Sequence, residues 1–244
     1  MVTVGDTIVV GRLVKPHTRK YTGYYLPCPY TGDSTERFAA IEDRLDLISR
    51  STDTLLRRIR ESTYSDGRVV LDTVLYDRAT LAPRAQRWHL ERSPEGVSLA
   101  TGFDVRGRRV SWFSEEGTES HQGLDTTFAD APFLVGTEDL LVQAIPVLYK
   151  PNALVSLPMA DLRRGGIDTT GRLTYYLAFY HVAADVLGSE PRGLHVEIAH
   201  VDFWVDPHTH EVLEWQEPAD EGTCPARYIP METMTSFRVG LTSA

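Results

Sequence analysis

Four of the chain's eight histidines fall within Gly193–Trp215, which reads GLHVEIAHVDFWVDPHTHEVLEW. Imidazoles near carboxylates can ligate a metal or move protons, and spacing decides which. His208 and His210, with Asp206, are zinc-type ligands on a short segment. Yet Asp206–Pro207–His208–Thr209 has the residue types of a hairpin turn, and no third ligand stands nearby. No metal is expected there.

The other two histidines sit on an extended pattern. Leu194, Val196 and Ile198 share one strand face, with His195 and Glu197 on the other. Val201, Phe203 and Val205 have the opposite parity, so the hydrophobic phase flips at Ala199–His200. A β-bulge would shift the register and leave the polar groups at the surface. If both faces are covered instead, His200 and Asp202 point into an apolar space. Desolvation would then shift their pKa values and make acid–base chemistry feasible. A hydrogen-bonded core histidine is the third reading. On the second reading His200 and Asp202 are the candidate catalytic pair, about 7 Å apart along the strand.

Arg172–Ala184, RLTYYLAFYHVAA, places Tyr175, Leu177, Phe179 and His181 on one strand face. Tyr175 and His181 join the catalytic candidates, because their polar groups share a wall with apolar rings. Trp88 and Trp112 lie on neighbouring predicted strands, on faces with Leu90 and Val110. With Tyr76, Phe179, Trp204, Tyr24 and Tyr25 they are the candidate substrate-binding residues. Tyrosines and indoles on strands are also ordinary core residues, and that plainer role stays open.

Strands and helices must position these groups. Thr7–Val14 reads as a short strand. Lys15–Asp33 carries three prolines and four tyrosines and reads as an irregular cover segment. Phe38, Ile41, Leu45, Ile48, Leu55 and Ile59 recur at three- and four-residue steps, which predicts helix over 34–62. Its TLLRRIR segment could alternatively engage a protein partner. From residue 65 to 240 the period is two, with turn residues such as Asp66–Gly67 between runs, which predicts an antiparallel meander. A short, all-apolar helix is inserted at 137–146 and must be buried. The fold class is therefore β-rich α+β in one domain spanning 1–244. A strongly curved antiparallel sheet, half-barrel or barrel, is covered by the N-terminal amphipathic helix and the short buried one.

Composition narrows the function. The formal charge of −9 and pI near 5.4 argue against nucleic acid or an anionic membrane surface as partner. Cys28 and Cys224 are nearly 200 residues apart without CxxC spacing, and read as two free thiols. The N-terminus has no basic region followed by an apolar run, and no stretch is apolar enough to span a membrane. A cytoplasmic location is expected. No GxGxxG, phosphate loop, GxSxG or HExxH motif occurs, so no cofactor is expected.

The phrases LYDRATLAPRAQRW, GFDVRGRRVSW, DLLVQAIPV and VDFWVDPHTHEVLEW together resemble the lipoprotein-carrier-like half-barrels of the LolA/LppX-like fold. The similarity covers roughly Thr35–Trp215. It implies a curved antiparallel sheet with helices over its open side and a hydrophobic cavity between them. Such proteins mostly handle lipids or hydrophobic ligands outside the cytoplasm. One cytoplasmic relative, the violacein-pathway rearrangement enzyme VioE, works without a cofactor. The function expected is thus a cofactor-independent cyclase, isomerase or lyase of secondary-metabolism type, acting on a hydrophobic small molecule. The alternative is a non-catalytic hydrophobic-ligand or lipid-binding protein. Homodimerisation is compatible with either.

Overall fold

The computed structural model describes residues 9–28, 36–49, 53–106, 109–125, 132–150, 154–167, 173–219 and 224–231. Two antiparallel runs build one sheet. The first comprises β1 (His17–Tyr25), β2 (Arg37–Ser49), β3 (Thr54–Tyr64), β4 (Val69–Asp77), β5 (Pro83–Arg92), β6 (Leu99–Arg106), β7 (Arg109–Glu116) and β8 (Glu119–Asp125). Each strand pairs with the next, as short connections favour. The chain then crosses to the far edge. There β9 (Phe133–Leu134) lies parallel to β10 (Leu154–Ile167), with helix α1 (Glu138–Ala144) and a 3-10 turn (Pro146–Tyr149) between them. The second run returns through β11 (Leu173–Glu190), β12 (Gly193–Ile198), β13 (Val201–Val205), β14 (Val212–Glu217) and β15 (Ala226–Pro230). Among the described residues the sheet has fifteen strands, ordered β8 to β1 and then β15 to β9.

The two arms meet at the β1–β15 seam, where Tyr21 pairs with Pro230 and Tyr25 with Ala226. Cys28 follows β1, Cys224 precedes β15, and the two form a disulfide with Cα atoms 5.8 Å apart. The free-thiol expectation is corrected. Sequence distance was a poor guide, because this topology lays the first and last described strands side by side.

The helix expected over 34–62 is two strands, β2 and β3, paired from Ala39–Tyr64 to Ser49–Thr54. The reason lies in what faces inward. Ala39, Ile41, Asp43 and Leu45 are buried at every second position of β2. Leu56, Arg58 and Ser62 are the buried inward-facing residues of β3. Charged residues at core positions interrupt the apolar alternation, and the remaining apolar residues fall by accident into three- and four-residue steps. The irregular cover segment is also corrected, because His17–Tyr25 is a paired strand with Tyr21 and Thr22 buried. Residues 29–33 of that segment lie outside the described part. So do residues 232–240 of the last expected strand.

The short helix stands as expected within 137–146. Leu140, Leu141, Val142 and Ala144 of α1 are at most 1% exposed. They join a core cluster with Tyr21, Leu45 and Leu56 of one arm and Val196, Phe203 and Trp215 of the other. We call this face of the sheet inner. Among the described residues no helix is long and apolar enough to cross a membrane.

The disulfide closes a loop of nearly the whole chain around a seam of few backbone bonds. Cys28→Ser/Cys224→Ser is expected to lose about 2–5 kcal/mol of unfolding free energy, read by urea titration. Non-reducing peptide mapping should recover the crosslinked Cys28 and Cys224 peptides.

Candidate functional site

The stretch that carries four histidines divides between a hairpin tip and the outer face. Val201 pairs directly with Ile198, so Gly193–Val205 is a hairpin and not one strand. Ala199 and His200 are its two turn residues, both with positive φ, of 55° and 67°. That backbone is what a two-residue primed turn demands. The phase flip is therefore the chain reversing. His200 sits at the tip with 87% of its side chain exposed, beside Glu197 at 3.4 Å.

Asp202 faces outward with His195. His195 Nε2 lies 2.7 Å from Asp202 Oδ1, and Nδ1 lies 3.0 Å from Glu190 Oε1. Trp204 Nε1 donates to Glu190 at 2.9 Å, and its ring carries both the His195 imidazole and the Arg192 guanidinium. Arg192 and Arg227 both donate to Glu214. With both ring nitrogens engaged, His195 has none left for a substrate. This cluster clasps β11 through β15 from outside, and Trp204 belongs to it.

The remaining candidates do not converge either. His181 is exposed on β11. The side chains of Tyr175 and Phe179 lie outside the described part, while their backbones pair with Arg164 and Ala160. Tyr76 is core, 2% exposed, and its hydroxyl has no hydrogen-bond partner. Burial holds that phenol well above its ordinary pKa. Tyr25 stacks on Phe38 at 4.2 Å, and Tyr24 is half-buried beside the seam. Neither forms a cover. His210 stacks on Tyr149 at 3.7 Å, which ties the β13–β14 turn to the 3-10 turn. Among the described residues no group of three metal-ligand side chains assembles, on that hairpin or elsewhere.

Inside the sheet stands a charge cluster that sequence reading missed. Arg58, 2% exposed, donates Nε and Nη2 to Asp43 at 3.0 and 2.6 Å. Nη1 and Nη2 also donate to Asp139 at 2.9 and 2.5 Å, and Nη1 to the Gly136 carbonyl at 3.0 Å. All five guanidinium N–H groups are thereby used. Arg60 adds contacts of 3.3 and 3.4 Å to the same two aspartates. Two cations meet two anions, so the cluster is neutral. Burial opposes the charge on Asp43, yet Arg58 and Arg60 hold its carboxyl well below the usual range. Glu138, next to Asp139, has only two backbone N–H groups and the Arg60 charge to favour its carboxylate, and burial outweighs them. Burial pushes its carboxyl up to about 7, with the Asp139 charge adding in the same direction.

A cavity of about 350 Å³ lies between strands far apart in sheet order. Gln86, Trp88, Thr101 and Phe103 of β5 and β6 form one wall. Val135 and Ala160, beside β9 and on β10, form the opposite one. Trp88 is thus the one sequence candidate that lines it among the described residues. Asp72 takes both contacts of Gln86 Nε2, at 3.0 and 3.2 Å. Trp112 shares the inner face through its pairing with Phe103, but borders a separate groove of about 470 Å³. Its indole lies flat on Gly123, where an added Cβ would meet the ring at 2.5 Å. Phe103 and Thr101 could have been found from the alternation of TGFDV, which shares the period of QRWHL. Val135, on a turn from the far edge, had no such signal.

Comparison of the chain with family models, curated proteins and solved structures finds no match.

Glu138 dictates a pH dependence. Its folded pKa is raised above the ordinary 4.5, so the neutral form favours the fold. That contribution is fully present below about pH 4.5 and lost as pH rises through 7, about 3 kcal/mol in all. Glu138→Gln should therefore raise Tm at pH 8 and leave it nearly unchanged at pH 4.5, read by calorimetry. Arg58→Met leaves Asp43 and Asp139 to the longer Arg60 contacts and should cost about 3 kcal/mol in a denaturant titration.

Proposed function

We propose that the protein binds a hydrophobic small molecule in the cavity between β5–β6 and β9–β10. The observation that carries this reading is the wall composition. Trp88, Phe103, Leu99, Val135 and Ala160 supply an apolar surface, and a few polar groups punctuate it. A volume of about 350 Å³ lies in the range of small-molecule sites. In this reading the sheet curves around the ligand as in the lipoprotein-carrier-like half-barrels. The buried helix fills the rest of the inner face.

Binding is favoured over catalysis by where the polar groups stand. The cyclase, isomerase or lyase expectation relied on His200 and Asp202 facing an apolar interior. His200 is instead exposed and Asp202 is bonded to His195 outside. The disulfide supports an oxidising compartment and counts against the cytoplasmic expectation.

Native mass spectrometry of freshly purified protein should show a co-purified apolar molecule at one per chain. Trp88→Ala should lower its occupancy at least tenfold, with the circular dichroism spectrum retained. Unliganded protein, together with no binding of naphthalene-type probes by calorimetry, would overturn the reading.

A further inference from the structure

One polar group on the β5–β6 wall is fixed in direction. Gln86 and Trp88 pair directly with Phe103 and Thr101, and all four line the cavity. Asp72 pairs with Trp88 from the β4 side, which sets its carboxylate beside the Gln86 amide. Gln86 Nε2 lies 3.0 and 3.2 Å from the two Asp72 oxygens. A carboxylate only accepts, so it fixes which end of the amide is nitrogen. Both side-chain bonds of Gln86 among the described residues are made by Nε2, which leaves the Oε1 carbonyl as the group it can offer a ligand. Thr101 brings a hydroxyl, which rotates to donate or accept as its neighbour requires. Glu116 and Asp161 also border the space, but each has an interaction of its own, and neither is assigned to the ligand.

We infer that Asp72, acting through Gln86, sets the ligand class of this cavity: an apolar, aromatic-sized body bearing a hydroxyl group, in preference to the same body bearing a carbonyl. This rests on the binding reading above and narrows it. A hydroxyl donates to the Gln86 carbonyl and still accepts from Thr101. A ketone or aldehyde only accepts, so it sets oxygen against oxygen at Gln86 and leaves that carbonyl desolvated without a donor. Turning the amide over to meet the ketone would set Oε1 against the Asp72 oxygens, so Gln86 cannot adapt. Trp88, Phe103 and Val135 take the body in either case. Asp72 is not among the lining residues and is a positioning residue, whose part is to make one orientation of an amide costly.

The test uses three probes with one skeleton, the secondary alcohol naphthylethanol, its ketone acetylnaphthalene, and ethylnaphthalene, titrated calorimetrically into the full chain. The alcohol should bind about tenfold more tightly than the ketone. Asp72→Asn offers the amide a donor as well as an acceptor, so Gln86 can be held either way round. The alcohol-to-ketone ratio should then fall to within about threefold, with the hydrocarbon unchanged. Gln86→Leu should bring the alcohol down to the hydrocarbon's affinity, and it decides the matter if Asp72→Asn fails to fold by circular dichroism. A ketone that binds the unaltered chain as tightly as the alcohol overturns the inference and leaves the cavity reading standing. So does a ratio unchanged in folded Asp72→Asn, or alcohol affinity unchanged in Gln86→Leu. Absence of binding by all three probes overturns the inference and the cavity reading together.

Discussion

The Arg58 guanidinium, with five donors and five bonds, holds together what backbone pairing leaves apart. Asp43 comes from the neighbouring strand, Asp139 from the first turn of α1, and the Gly136 carbonyl from the segment leading into it. The helix meanwhile packs against β12, β13 and β14 of the other arm. One side chain on β3 thereby anchors an element whose apolar contacts lie across the interior. Burying these charges is expensive, and attraction offsets that cost only when geometry is good and every remaining donor is satisfied. Both conditions hold for Arg58, whereas the buried Nε of Arg60 has no hydrogen-bond partner among the described residues. The cluster also has a positional consequence, since Gly136 adjoins Val135, a wall residue of the cavity. A leucine at 58 could fill the space but could not set the register of that turn.

The same cluster explains what was legible in the sequence. The β-rich class, the meander from residue 65 and the short buried helix all follow from patterns that apolar residues write unaided. β2 and β3 write no such pattern, because Asp43, Arg58 and Arg60 occupy inward positions. A buried ion pair is invisible to hydrophobic periodicity, and its two halves are polar letters in the wrong places. The β12–β13 hairpin was hidden for another reason. Ala199 and His200 adopt the positive φ values that Asn-Gly usually supplies, so no turn residue marks the reversal. The aromatic wall was half legible. Trp88 and Phe103 obey alternation on adjacent strands, but the segment opposite them is joined to the site only by topology.

That topology makes the two ends of the sheet unequal. At the centre the arms are tied by the β1–β15 ladder, by the Cys28–Cys224 bond and by the shared core. Toward the edges β5–β7 and β9–β10 face a common cavity, which no backbone ladder among the described residues spans. A gap of this kind survives only where neighbouring elements cannot collapse into it. The indole of Trp88 and the ring of Phe103 are too large to give way, and Asp72 pins the Gln86 amide. On the opposite side, the bond from Val135 N–H to the Ala160 carbonyl braces the turn that Arg58 already holds. The cavity is therefore held open by the same ionic contacts that seat α1. Cavity and core share one cause here, because the Val135 wall and the helix that fills the core hang on one guanidinium.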